Sequence, residues 1–308
     1  MILVVLSTAI SFAASPAIAQ SDIIFAPGTG SGEPAQVGPL PRPIPVSYAP
    51  LSCADFASAR ERIETLYRPL DAPIAAPELA EAVAATPTAS TIATPPNRLD
   101  KTLLDTALDS YNRNICGKSQ DRGFGPSKIV VVDFAKPSSQ PRLYAVDLLS
   151  GEGVDTPVHV AHGVGSDRDD DGIAEQFSNV YNSLASSLGA ARGGELYTGI
   201  NGLSLRLDGL DQSNSNMRMR DIVAHSYAPE RRRYFNASLV QVRSGRPGRS
   251  EGCFVVAPHL REWLFSILRD GGFLFAGLGG DRAKEMPVNA PQTEAIIGDV
   301  VFVPGTGG

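Results

Sequence analysis

A succession of short apolar segments between residues 128 and 276 most constrains how this chain can fold. Each segment is rich in β-branched or aromatic residues, and Pro, Ser and Gly turns separate it from the next. The segments lie at 128–134, 142–149, 158–162, 203–207, 222–225 and 273–276. One helix is predicted at about 258–269, before the last segment. The pattern predicts a mainly β domain, sandwich-like or barrel-like, with accessory helices on its edges, which is an α+β fold class.

The first 19 residues, MILVVLSTAISFAASPAIA, have an apolar core followed by small residues, as in a secretory signal that is cut before Gln20. No Lys or Arg precedes the apolar run, so either the true start lies upstream or the signal is atypical. A membrane anchor is less favoured, because the run is short and is interrupted by polar residues. We therefore expect an exported protein with no transmembrane segment after removal of the signal.

Composition separates flexible from helical stretches in the rest of the chain. Pro, Gly, Ser and Ala without an apolar period predict a flexible tether, whereas apolar residues at helical spacing predict helices at 55–67 and 99–115. The predicted organisation is a tether at 20–51, a helical accessory region at 52–118 with a linker at 85–98, the β-rich domain at 126–278 and a tail at 279–308.

Charge argues against a nucleic-acid-binding protein, because the net charge is −6 and no basic stripe would offset phosphate repulsion. The basic run at 231–233 is interpreted as a solvated loop. Residues 167–172 (DRDDDG) begin like a calcium-binding loop, but the twelfth position of that loop is Ser178, which cannot supply a bidentate carboxylate. A solvated acidic loop is therefore favoured, and no clustered Cys or His residues predict a zinc site.

The three cysteines differ in their surroundings. Cys53 and Cys116 each border a predicted helix, and neither follows a turn like the one before Cys253. In an oxidising compartment two of three cysteines tend to pair, so Cys53 and Cys116 are the predicted disulfide, with two unpaired thiols as the alternative. Cys253 would then keep a free thiol.

The stretch GRPGRSEGCFVV at 245–256 places Cys253 at the start of an apolar run, directly after a glycine-containing turn. Arg246 and Arg249 supply local positive charge, which would raise the thiolate fraction of a nearby thiol. Gly252 has no Cβ, so a substrate carbonyl could approach the backbone closely and the Cys253 N–H could face an oxyanion. These residues fit a nucleophilic cysteine. From this stretch alone, a buried structural cysteine is an equally favoured hypothesis.

A nucleophilic thiol needs a base, and four histidines are available. His225 ends an apolar strand-like run, where packing can hold a side chain that projects at the sheet edge. His162 has a similar position before a glycine, and position alone favours His225 over it. His159 fits a half-buried strand residue, and His259 begins the last predicted helix.

Nine blocks follow one another in a fixed order along the chain. They are VVDF at 131–134, RLYAVD at 142–147, VAHG at 160–163, FSN at 177–179, SSLG at 186–189, YTG at 197–199, SLRLDGL at 204–210, IVAH at 222–225 and GRPGRSEGC at 245–253. In this order they resemble the murein L,D-transpeptidase catalytic domain of the YkuD type, in the branch with a GR-GRS-x-GC motif. The resemblance covers about residues 128–277 and implies a β-sandwich-like domain with the thiol in a cleft.

The resemblance implies a role for each matching residue. Cys253 would be the acylated nucleophile, His225 its base and the carbonyl of Ser226 the group that orients the imidazole. The N–H groups of Gly252 and Cys253 would face the oxyanion. The residues expected to meet the substrate or shape its site are Ser250, Arg249 and Arg246.

The resemblance also implies the reaction and its location. The substrate would be a peptidoglycan stem peptide in the bacterial periplasm or cell envelope, and no metal or organic cofactor is implied. The thiolate would attack the L-centre carbonyl of the diamino acid, release D-alanine and pass the acyl group to an amine. An L,D-carboxypeptidase, with water as acceptor, and a catalytically silent wall-binding module are the alternatives.

Four positions depart from the family pattern around the thiol. Glu251 and Val255 stand where many relatives have His and Arg, and Glu251 would raise the thiol pKa unless an arginine pairs with it. Phe254 replaces a frequent proline, and Ser226 replaces a usual glycine. These changes bear on the activity more than on the fold.

Overall fold

The computed structural model describes residues 44–67, 97–117, 123–227 and 247–284. The predicted signal peptide, the linker up to residue 96, the basic run at 231–233, Arg246 and the tail from residue 285 lie outside these ranges. Within them, no helix is long and apolar enough to cross a membrane.

The strands in the described ranges form a two-stranded sheet and a seven-stranded sheet. They are β1 (Pro50–Ser52), β2 (Phe124–Pro126), β3 (Lys128–Asp133), β4 (Leu143–Asp147), β5 (Gly189–Gly199), β6 (Gly202–Gly209), β7 (Val223–Ser226), β8 (Phe254–Val256) and β9 (Phe273–Gly277). β1 pairs with β2, and the others form one curled mixed sheet in the order β4-β3-β9-β5-β6-β7-β8. The β3–β9 and β7–β8 pairs are parallel. The predicted fold class, mainly β with accessory helices, is confirmed.

The structure differs from the sequence-based strand predictions at residues 158–162 and at β5, and it adds the short strands β1 and β2. Residues 158–162 do not form a strand, since only Val158 makes an isolated bridge, to Leu143. Conversely, the 11-residue strand β5 is not predicted, because its sequence GAARGGELYTG has no β-branched run. A Cβ on Gly193 of this strand would lie 1.7 Å from the carbonyl oxygen of Leu268, so the close approach of backbone there requires glycine.

Three α-helices accompany the large sheet in the described ranges. They are α1 (Phe56–Thr65), α2 (Lys101–Tyr111) and α3 (Arg261–Leu268), and a π-helical turn at Asn112–Cys116 extends α2. The Asp100 carboxylate caps α2 by accepting a hydrogen bond from the Leu103 N–H at 2.9 Å. The helices predicted at 55–67 and 99–115 are therefore confirmed, with shorter bounds.

Strand alternation divides the core between the two faces of the sheet. Ile129 and Val131 of β3 point to a cluster that contains α1 and α2, whereas Val130 and Val132 point to the cluster that contains α3. Both sets of side chains are fully buried. The N-terminal helices therefore form a layer on the sheet and share its core.

A disulfide bond joins Cys53 and Cys116, the pair predicted from the sequence. Cys53 lies between β1 and α1, and Cys116 ends the π-helical turn after α2. The bond spans 63 residues of sequence, so it fixes the start of the helical layer to its end.

Candidate active site

The alternation of side chains along β7 and β8 places Cys253 and His225 on one face of the sheet. In the parallel pairing of β7 with β8, Ala224 lies beside Phe254 and His225 lies beside Val255. Ala224 and Phe254 point into the core against α3, so His225 and Val255, one residue on, point to the opposite face. Cys253, two residues before Val255, belongs to a buried cluster on that same face. The thiol and the imidazole therefore project from adjacent strands to the same side.

The turn before Cys253 is held by a serine and requires a glycine. The Ser250 hydroxyl donates to the Cys253 carbonyl oxygen at 2.8 Å and accepts from the Gly252 N–H at 3.1 Å. Gly252 has φ +114°, and a Cβ there would lie 2.6 Å from Ile222 Cδ1 and 2.7 Å from the Ala185 carbonyl oxygen. The Gly252 N–H is therefore engaged within the turn. The oxyanion role expected of the Gly252 and Cys253 N–H groups stays a prediction.

Cys253 is the free cysteine, and its side chain is nearly enclosed at 8% exposure. The sulfur donates to the Asp221 carbonyl oxygen at 3.5 Å. Burial raises the pKa of the thiol to about 11, and the carboxylates of Glu251 and Asp221 act in the same direction. The Val223 N–H and the Arg220 guanidinium oppose this rise in the pKa. At neutral pH the thiol is therefore protonated, and any reaction through its thiolate would require a base.

His225 has the properties of that base. Its Nδ1 lies 2.9 Å from the carbonyl oxygen of Ser226, which can only accept, so Nδ1 carries the proton and Nε2 is the basic nitrogen. Burial lowers the pKa of His225, although the Ser226 carbonyl opposes this shift. The imidazole is therefore neutral at pH 7, as a proton acceptor must be. The structure places the Ser226 carbonyl where the resemblance implies it.

His162, the second candidate base, lies in a separate buried network. Arg142 Nη2 donates to His162 Nδ1 at 2.9 Å, so His162 Nε2 carries the proton and lies 3.0 Å from Asp167 Oδ2. All three side chains are fully buried. Both ring nitrogens of His162 are thus used within the fold, and the imidazole serves structure rather than proton transfer from Cys253.

The remaining predicted site residues lie around the acidic loop or outside the described ranges. Arg249 donates to the Asp167 carbonyl oxygen, and its Nε lies 3.2 Å from Asp170 Oδ1, so it fastens the acidic loop beside the Cys253 turn. Arg246 is outside the described residues. His159 contacts the Ser138 carbonyl oxygen, at 3.3 Å.

The acidic loop is organised around its first aspartate. The buried Asp167 carboxylate accepts from the N–H groups of Asp171 and Gly172, each at 3.1 Å, in addition to its contact with His162. Oxygen atoms of Asp167, Asp169 and Glu175 lie within 4.8 Å of one another. In this structure the DRDDDG motif therefore closes its own loop through Asp167.

Sequence reasoning missed Arg220, which lies one residue before the carbonyl that accepts from Cys253. Its guanidinium donates to Ser187 Oγ at 2.6 Å, Ser183 Oγ at 3.0 Å, the Ala185 carbonyl oxygen at 2.6 Å and the Ser178 carbonyl oxygen. Burial lowers its pKa to about 10. The local sequence MRMR does not distinguish the two arginines. Arg218, two residues before Arg220, forms exposed ion pairs instead of hydrogen bonds to residues 178–187.

Tyr197 is a second residue of this face that the sequence did not single out as functional. Its ring packs against the Cys253 cluster, and the Arg206 guanidinium lies 4.3 Å from the ring centroid. Burial raises the pKa of the Tyr197 phenol. The face around the thiol therefore combines apolar side chains with a tyrosine and an imidazole.

Comparison with known proteins identifies the family of the domain that carries these residues. A family model for the L,D-transpeptidase catalytic domain matches residues 96–276, which is more than half of the chain and includes Cys253 and His225. Comparison with curated proteins gives no significant match. A nearly enclosed thiol with an imidazole on the adjacent strand, within a domain matched over this length, leads to one conclusion: the chain belongs to the L,D-transpeptidase catalytic domain family of the YkuD type.

Proposed function

We propose that the chain is an exported L,D-transpeptidase that modifies peptidoglycan stem peptides through the thiolate of Cys253. The observation that carries the proposal is the parallel pairing of β7 with β8, which brings the free cysteine and the neutral imidazole of His225 to one face. Membership of the family supports the substrate class. The disulfide supports export, because such bonds persist in oxidising compartments.

The first half-reaction forms a thioester. His225 Nε2 takes the thiol proton, and the Cys253 sulfur attacks the L-centre carbonyl of the diamino acid in a tetrapeptide stem. The Cys253 N–H would donate to the resulting oxyanion. The bond to D-alanine then breaks, and the imidazolium of His225 returns its proton to the leaving amine. The products are free D-alanine and an acyl-enzyme.

The second half-reaction resolves the thioester. An amine attacks the acyl carbon, His225 accepts the amine proton, and the sulfur of Cys253 leaves and is protonated. Cys253 lies in an apolar cluster and the residue is only 8% exposed, which limits the access of bulk water. Limited water favours transfer to a bound amine over hydrolysis.

Purified sacculi with tetrapeptide stems, incubated with the protein, test this function. We expect release of D-alanine and new L,D-cross-links or amine-exchanged stems by mass spectrometry, and neither with Cys253→Ser. Tripeptide stems without new linkages would identify a carboxypeptidase instead. Unchanged stems with the wild-type protein would overturn the enzymatic proposal and leave a wall-binding module.

A further inference from the structure

Residues 178–187, which we name the serine loop, form a wall beside the Cys253 turn. The Ser186 hydroxyl accepts from the Gly163 N–H at 3.1 Å and donates to the Gly252 carbonyl oxygen at 3.3 Å. The Ala185 carbonyl oxygen lies close enough to Gly252 to exclude a Cβ there. A displacement of the serine loop would therefore move the backbone that carries the thiol.

The serine loop holds a conformation that its sequence does not favour. Asn182 and Leu184 have φ values of +59° and +56°. Asn tolerates the left-handed region, but a leucine there costs about 1 kcal/mol or more. The four hydrogen bonds from the Arg220 guanidinium end on this loop, so Arg220 holds it in place.

The charge of Arg220 has no carboxylate partner in the described part of the chain. Its four acceptors are carbonyl and hydroxyl oxygens, and its buried Nε has no hydrogen-bond partner there. Arg218 and Arg206, by contrast, both pair with carboxylates. A partly buried cation that is matched only by neutral groups is costly, and a nearby anion would relieve that cost.

Among the described residues, the charged group that acts on the Arg220 guanidinium is the thiolate form of Cys253. The sulfur contacts the carbonyl oxygen of the next residue, Asp221, and the Arg220 charge lowers the pKa of the thiol, against the larger effect of burial. The Glu251 and Asp221 carboxylates also act on the sulfur. Tyr197 and His225 are titratable groups on the same face of the sheet as Cys253. Both carboxylates oppose the thiolate, whereas Arg220 is the positive charge among the described residues that favours it.

We propose that Arg220 is a positioning residue that acts as the counter-ion of the Cys253 thiolate and holds the serine loop against the Cys253 turn. This inference rests on the proposed function, because a thiolate is formed in that reaction. The Arg220 side chain would then have two separable effects. Its charge would lower the pKa of the Cys253 thiol, and its four hydrogen bonds would fix the position of the serine loop.

Alkylation of the single free thiol by iodoacetamide tests the charge without any substrate. We measure the rate against pH in the full chain with its disulfide intact, for the wild type, Arg220→Gln, Arg220→Lys and Arg218→Gln. Arg220→Gln should raise the thiol pKa by about one pH unit and slow alkylation near pH 8 by about threefold to tenfold. Arg220→Lys should keep the wild-type pKa but lower the D-alanine release rate, because an ammonium cannot reach all four acceptors.

Arg218→Gln is the matched control, since it removes an arginine charge two residues away that is exposed and already paired, and its alkylation profile should not change. An unchanged profile in Arg220→Gln, with wild-type thermal melting, would overturn the counter-ion role. If Arg220→Gln does not fold, the alkylation profile of Arg220→Lys tests the counter-ion role instead. A thiol pKa above the wild-type value in Arg220→Lys would count against the proposal. A wild-type protein that is inactive on sacculi would refute the proposed function, whereas the alkylation result would still test Arg220.

Discussion

The thiol of Cys253 donates a hydrogen bond to the carbonyl oxygen of Asp221 across 3.5 Å. A carbonyl oxygen accepts from a thiol but repels a thiolate, so this contact favours the protonated sulfur. Burial acts in the same direction, because it raises the pKa of Cys253 to about 11. In the resting protein, the neutral thiol and the neutral imidazole of His225 therefore lie on the same face of adjacent strands. A thiolate–imidazolium ion pair would form only as the reaction proceeds.

Gly252→Ala should abolish D-alanine release and lower stability. The new Cβ would lie 2.6 Å from Ile222 Cδ1 and 2.7 Å from the Ala185 carbonyl oxygen, so the Cys253 turn must shift. Gly271→Ala is the matched control, because Gly271 also has a positive φ, +99°, but nothing lies within 4 Å of its Cβ position. Gly271→Ala should cost about 1 kcal/mol in urea unfolding and keep its activity. Equal losses in the two variants would contradict the steric explanation.

His225→Ala and His162→Ala should separate a catalytic histidine from a structural one. Loss of the proposed base should lower kcat by about 100-fold to 10,000-fold with little change in the free energy of unfolding. Loss of His162 leaves Arg142 and Asp167 buried without their shared partner, so it should cost about 3 kcal/mol. Urea unfolding and D-alanine release, measured on both variants, check this contrast. The reverse pattern would mean that the two histidines have been assigned the wrong roles.

The pH dependence of kcat/KM should show an acid limb with a midpoint below 6.5. Burial lowers the pKa of His225 from that value, and only the neutral imidazole can accept the thiol proton. Activity is therefore retained above pH 6.5 and lost as the pH falls through the lowered pKa of the folded protein. The contribution of His225 to stability has the same sign, being present above the unfolded pKa and lost on acidification. An acid limb at pH 7 or above would contradict the burial argument.

Reduction of the disulfide should loosen the helical layer more than the active site. Cys53→Ser together with Cys116→Ser should lower the free energy of unfolding by about 2–5 kcal/mol, because the bond closes a long segment of chain. The Cys253 turn belongs to a side-chain cluster that is separate from the cluster of the helical layer, so the double variant should retain D-alanine release at temperatures well below its melting point. Loss of activity in a folded double variant would show that the helical layer supports the site.

Local patterns in the sequence determined a large part of this protein. Successive side chains of a strand point to opposite faces, so Ile129 and Val130 must lie on opposite faces wherever the strand is placed in the sheet. The turn around Gly252 is local in its hydrogen bonds to Ser250, whereas the close contacts that exclude a Cβ at Gly252 come from the distant residues Ile222 and Ala185. The resemblance then singled out Cys253 and His225, which the structure places on one face.

Only the tertiary structure decided which residues surround the thiol. Arg220 and Arg218 are equivalent in the sequence, yet one is partly buried against the serine loop and the other forms surface ion pairs. His162 and His225 both end apolar runs, yet one is closed between Arg142 and Asp167. β5 has a glycine-rich sequence and still occupies the middle of the sheet. Burial, charge pairing and strand order depend on segments distant in sequence, so they are fixed only when the whole chain packs.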